Sequence, residues 1–82
     1  MKAGAIRKLA KNVDADTLQR AIDALIEGED LPIDVDGEDE GEKLTHCNLA
    51  LRVRQRVDQG EELKVVFRDV MAQVRGVLEN ES

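Results

Sequence analysis

The sequence predicts a small all-α domain, and three observations carry that expectation. Apolar residues near the C-terminus recur three and four positions apart, the spacing of a single stripe on a helix. The stretch DADTLQRAIDALIEGEDLP, residues 14–32, shows the same spacing between an N-cap residue and a Gly…Pro terminator. The chain is 82 residues long, enough for one domain and one core.

Taken in order, Ile6, Leu9, Ala10 and Val13 lie three and four apart and predict a short first helix. Asp14 suits the N-cap of the second, because its carboxylate can accept from backbone N–H groups that lack intrahelical partners. Leu18, Ala21, Ile22, Leu25 and Ile26 form its expected buried stripe. Gly28 fits the left-handed position beyond the last turn, and Pro32 blocks continuation. LPIDV, residues 31–35, could add one short extended segment.

The third element has two readings. In NLALRVRQRV, residues 48–57, Leu49, Leu51, Val53 and Val57 alternate with polar positions at strand period, and DQGEE could turn a hairpin. The second arm would have to be LKVVFRDV, residues 63–70, whose periodicity is helical. A helix over residues 42–58 gathers Leu44, Cys47, Ala50, Leu51, Val53 and Val57 on one arc, opposite Thr45, Asn48, Arg52, Gln55 and Arg56. It also explains the acids before it: Asp36 as cap, with Glu38, Asp39 and Glu40 in a first turn that the helix dipole makes favourable for negative charge. The helix is the expected form. Leu63, Val66, Phe67, Val70, Val74, Val77 and Leu78 define the last helix, over residues 61–79, with Glu61 and Glu62 at its start. The expected architecture is a compact three- to four-helix domain, residues 1–82. It has an acidic loop before the third helix and a C-terminal antiparallel helical hairpin turning at Gly60.

The core this chain can build is thin. A chain of this length buries roughly 60–65% of its unfolded surface, and Phe67 is its one aromatic residue. Self-association, most simply a homodimer, would add the missing apolar area.

Charge narrows the functions. Eighteen acidic against 12 basic side chains give a net charge of −6. Nucleic-acid binding draws on Lys and Arg to neutralise phosphates and often on aromatics to stack bases, so it is not expected. No transmembrane run or signal peptide is recognisable, and Cys47, the lone cysteine, can form no intrachain disulfide. A soluble cytoplasmic protein is the natural expectation.

The acids are concentrated: residues 27–42 hold nine of them and no base. As a calcium loop, residues 36–47 place Asp36, Glu38, Glu40 and Gly41 in register, but Cys47 stands where a bidentate Glu is required. Glu42 and His46 are four apart and would share a helix face as two metal ligands. Two ligands do not close a site, so a metal centre would need a second copy across an oligomer interface. The plainer reading is a partly exposed helical histidine beside Glu42. His46 and Cys47 are adjacent and point about 100° apart, too far to act as a dyad, so Cys47 reads as a small buried residue.

Other catalytic arrangements lack their parts. Ser82 is the one serine, and no phosphate-cradling glycine motif occurs. The expectation is a non-catalytic protein that needs no cofactor.

Arg52, Arg54 and Arg56 form a basic cluster that could hold an acidic partner; the plainer reading is that they are solvated, or pair with the acids of residues 27–42. Arg54 falls inside the apolar arc, so it either runs along a groove or meets a partner subunit.

AIRKL at residues 5–9, AIDALIEGED at 21–30 and GEDEGEKLTH at 37–46 resemble a family of short, uncharacterised bacterial proteins over most of the chain. That resemblance implies a small helical protein and assigns no site residue. The functional expectation is a protein–protein interaction or self-associating module, its partner itself or another protein. The alternative is a metal-binding protein using Glu42 and His46 across an oligomer interface. A third possibility is acidity that serves solvation in a salty cytoplasm.

Overall fold

The computed structural model describes residues 2–81, with side chains through Val74. These residues form four helices, α1 (Ala3–Asn12), α2 (Ala15–Glu27), α3 (Glu40–Asp58) and α4 (Leu63–Glu81), and no strand. The architecture is the expected all-α one. Helix α3 is central, packing against each of the other three, and α1 also meets α4.

Helix α2 begins as its sequence dictates. Asp14 Oδ1 accepts the Thr17 N–H at 2.8 Å, and that bond holds the Asp14 carboxyl below its ordinary value. A carboxylate lowered in the folded state stabilises at neutral pH, and the contribution is lost as pH falls through its folded value, below about pH 4. Asp14→Asn should therefore lose less stability than the native chain between neutral pH and about pH 3, a difference that thermal melts at both ends read. At the other end Gly28 takes φ 73° and ψ 26°, and the Glu29 N–H closes onto the Ala24 carbonyl at 2.8 Å. Ile26 departs from the expected stripe and is 68% exposed. Ala24 is buried instead, so the buried arc lies farther round the helix and leaves Ile26 just past its edge.

Helix α3 starts later than the Asp36 cap would place it. Asp39 is the N-cap, its Oδ1 accepting the Glu42 N–H at 2.8 Å. The first-turn acids are accordingly Glu40 and Glu42. The reason is a local D-x-x-E pattern, Asp39 to Glu42, which is the stronger capping signal. Asp36 serves elsewhere through its carbonyl. Gly37 lets the chain pass close to α3: a Cβ there would sit 2.7 Å from Lys43 Cγ and 3.0 Å from its backbone nitrogen.

LPIDV forms no strand, having no neighbouring strand to pair with among the described residues. Its odd positions still turn inward: Val35 is buried, and Leu31 and Ile33 pack half-buried against the core. The acidic loop is thus pinned by its own apolar residues.

The α3–α4 hairpin is closed by charge. Arg56 donates through Nε and Nη2 to both Glu61 oxygens at 3.0 and 2.7 Å, and through Nη1 to Asp69 at 2.6 Å. Glu61 and Glu62 precede α4 rather than opening it. In α4, Val66, Val70 and Met71 are buried, whereas Leu63, Phe67 and Val74 are half-buried. The side chains of Val77 and Leu78 lie outside those described.

Candidate functional site

The chemistry-bearing residues divide into three places: the histidine, the acidic end and the arginines. His46 departs most from expectation. It is fully buried, not partly exposed. Its place follows from spacing: His46, Ala50, Val53 and Val57 are four, three and four apart, the same stripe that carries the core. The expected arc was centred too far towards Leu51 and Leu44, which are half-buried.

Both ring nitrogens are occupied. Nδ1 lies 2.7 Å from the Asp36 carbonyl oxygen, an acceptor, so Nδ1 carries the hydrogen and donates it. Nε2 then accepts from the Lys2 backbone N–H at 3.0 Å. One imidazole thereby joins α3 to the acidic loop and to the residue that opens α1. Glu42 Oε1 lies 3.8 Å from Nε2, beyond hydrogen-bond length. To ligate an ion, His46 would have to give up one of its two backbone partners. No group of three or more His, Cys, Asp or Glu side chains converges as a ligand set among the described residues.

Cys47 is also fully buried, and burial pushes its thiol above the ordinary range. Thiol reagents attack the thiolate, so native protein should react with a disulfide reagent only at the rate of structural opening. The guanidinium-unfolded chain should react at once, as absorbance of the released thiolate would report. Immediate reaction of the native protein would contradict the burial.

The arginines serve the fold. Arg54 donates Nη1 to the Ala10 carbonyl at 3.0 Å and binds Asp58 through Nε and Nη2 at 2.9 and 2.8 Å. This accounts for its position in the apolar arc: it satisfies a carbonyl at the end of α1 that has no intrahelical donor. Arg56 clamps the hairpin and holds the Glu61 carboxyl below its ordinary value. Arg52 is exposed and makes no ion pair among the described residues.

None of these arginines reaches the acids of residues 27–42, contrary to the internal pairing the sequence suggested. Among the described residues, no Lys or Arg forms an ion pair with any of those acids. Like charges meet there instead. The Glu29 carboxylate, positioned to accept from a protonated Glu27, raises the Glu27 carboxyl above its ordinary value, with desolvation and then the charge of Asp23 adding to the effect. Beside this crowd, between the end of α2 and the start of α3, lies a hollow of about 250 Å³. Ala24, Leu25 and Leu31 line it together with Glu29, Asp30, Glu40 and Lys43.

Comparison with known proteins adds one match. Residues 1–79 fit the model of a family of unknown function, DUF6952. The chain belongs to that family. The match spans His46, the acidic loop and the arginine cluster alike, and the family's description assigns none of them a role. No curated protein and no solved structure matches the chain. No helix among the described residues is long and apolar enough to cross a membrane.

Proposed function

We propose that this DUF6952 chain is a small non-catalytic interaction module of the cytoplasm whose acidic end receives a basic protein surface. The observation that carries the reading is that, among the described residues, no Lys or Arg forms an ion pair with the acids of residues 27–42. The chain has bases, yet Arg20, Arg54 and Arg56 are spent on Asp16, Asp58, Glu61 and Asp69. Crowded carboxylates repel one another, and a cationic partner relieves that cost while gaining steering from the same field. The hollow beside Leu25 and Leu31 offers a small apolar contact within the acidic rim. A non-catalytic role is supported by the two groups best suited to chemistry, His46 and Cys47, both being enclosed in the core. A reducing compartment suits a lone thiol kept from disulfide exchange.

The experiment compares tagged native protein with the variant Glu29→Gln/Asp30→Asn/Glu40→Gln in affinity capture, read by quantitative mass spectrometry at low and high salt. A basic protein that the native chain retains at low salt, and that both the variant and high salt release, is the expected result. Identical capture by the two proteins would overturn the reading.

Self-association is the second reading, and exposed aliphatic surface favours it. Val65 is 57% and Ile26 68% exposed, and Leu63, Phe67 and Val74 are only half-covered along α4. Light scattering after size exclusion at micromolar concentration should give a dimer mass. A strict monomer would remove this reading and leave the acidic one intact.

A further inference from the structure

The Nε2 atom of His46 faces two groups with opposite demands. The Lys2 N–H, 3.0 Å away, requires a lone pair, hence a neutral ring. Glu42 Oε1, 3.8 Å away and one helical turn earlier on α3, would be served by a proton on the same atom. Glu42 is half-buried and its carboxylate makes no hydrogen bond among the described residues, so it is free to close that distance.

We propose that His46 is a proton-operated latch on the N-terminal end of α1. The neutral ring holds the Lys2 amide; the protonated ring donates Nε2–H to Glu42 and releases Lys2. The step adds one solvent proton to Nε2 and exchanges one hydrogen bond for another. Meanwhile Nδ1–H continues to donate to the Asp36 carbonyl, so the acidic loop stays in place.

Three features make α1 the part that gives way. Lys2 is its N-cap residue, with no side-chain capping bond, and its first turn contains no acid. The Lys2 carbonyl accepts from the Ala5 and Ile6 amides at 3.1 and 3.3 Å, so displacing Lys2 unravels the opening turn. An imidazolium would also stand against the positive end of the α1 dipole, which repels it. The groups facing the ring are Glu42 from α3, the Lys2 amide from α1 and the Asp36 carbonyl from the loop; the Lys2 and Asp36 residues are themselves exposed. Among the described residues no carboxylate of α2 or α4 comes within ion-pair distance. The released state carries one proton more than the latched state, so falling pH favours release.

The test follows ¹⁵N-labelled full-length protein by NMR from about pH 8 to about pH 5, the range in which histidines ordinarily change charge. Heteronuclear NOEs of residues 2–6 report order, and imidazole C–H shifts report protonation, in native protein and in Glu42→Gln. Loss of order at residues 2–6 should follow the imidazole titration while α2, α3 and α4 keep their NOEs. Glu42→Gln should displace both curves together to lower pH. An imidazole that titrates while residues 2–6 stay ordered overturns the latch. So does loss of order without titration, or simultaneous melting of all four helices.

Discussion

Replacing His46 by leucine should be among the most destabilising substitutions in this protein, at about 2–4 kcal/mol. Leucine fills a similar volume and adds apolar surface, so the loss does not come from a cavity. It comes from two stranded backbone groups, the Lys2 N–H and the Asp36 carbonyl, which lose their shared partner. A buried donor or acceptor left unpaired costs about 1–3 kcal/mol, and the partial exposure of both bonds keeps each near the lower end. At roughly 0.05–0.15 kcal/mol per residue, a domain of 82 residues has little stability to spare. Urea titration of the native and variant chains checks the difference. A midpoint unchanged within error would mean that water replaces the ring at no cost, and the histidine would lose its structural role.

The second large effect belongs to Leu18. It is fully buried on α2 and lies in the cluster that includes Ile6, Val35, Cys47, Val53 and Val66. Leu18→Ala should cost about 3 kcal/mol, the transfer energy of the lost methyl groups plus the cavity they leave. For a domain of this size that lowers the melting temperature by roughly 12–24 °C. Ile26→Ala on the same helix is the internal control, because Ile26 is 68% exposed and should change stability by about 0.5 kcal/mol or less. Equal losses from the two would mean that the buried face of α2 is not the one described. A larger loss from Ile26 would point to a partner covering it.

The fold was legible in the sequence wherever periodicity and capping agreed. Helix α2 shows this best: Asp14, the Leu18–Ile22 spacing and Gly28 all specify one helix, and all three act as expected. Helix α3 was legible in kind but not in detail. Its charged faces blur the stripe, and the strand-like alternation of Leu49, Leu51 and Val53 competes with it. Tertiary contact resolves the ambiguity, since a helix that meets three neighbours buries a wide arc. The D-x-x-E pair of Asp39 and Glu42 marks the start of α3 more sharply than Asp36 does.

The site was less legible, for a physical reason. Hydropathy counts histidine as polar, so the stripe His46–Ala50–Val53–Val57 does not announce itself. Moreover, the partners of His46 are backbone groups 10 and 44 residues away, which no side-chain pattern encodes. Arg54 presents the same difficulty, because its acceptor is the Ala10 carbonyl. The destination of Arg56 was closer at hand: Glu61 lies five residues on, across the turn at Gly60. The concentration of acids in residues 27–42 was visible at once, whereas the pairing of Arg54 and Arg56 with acids outside that stretch required the three-dimensional arrangement.

The tautomer of His46 tests the central claim most directly, since its role as a neutral tie between three segments requires a single protonation pattern. Long-range ¹H–¹⁵N correlation at neutral pH should show hydrogen on Nδ1 and a bare, accepting Nε2, with both resonances unmoved by a molar excess of zinc. Hydrogen on Nε2, or ring resonances that shift when zinc is added, would contradict the account and return His46 to the candidate metal ligands.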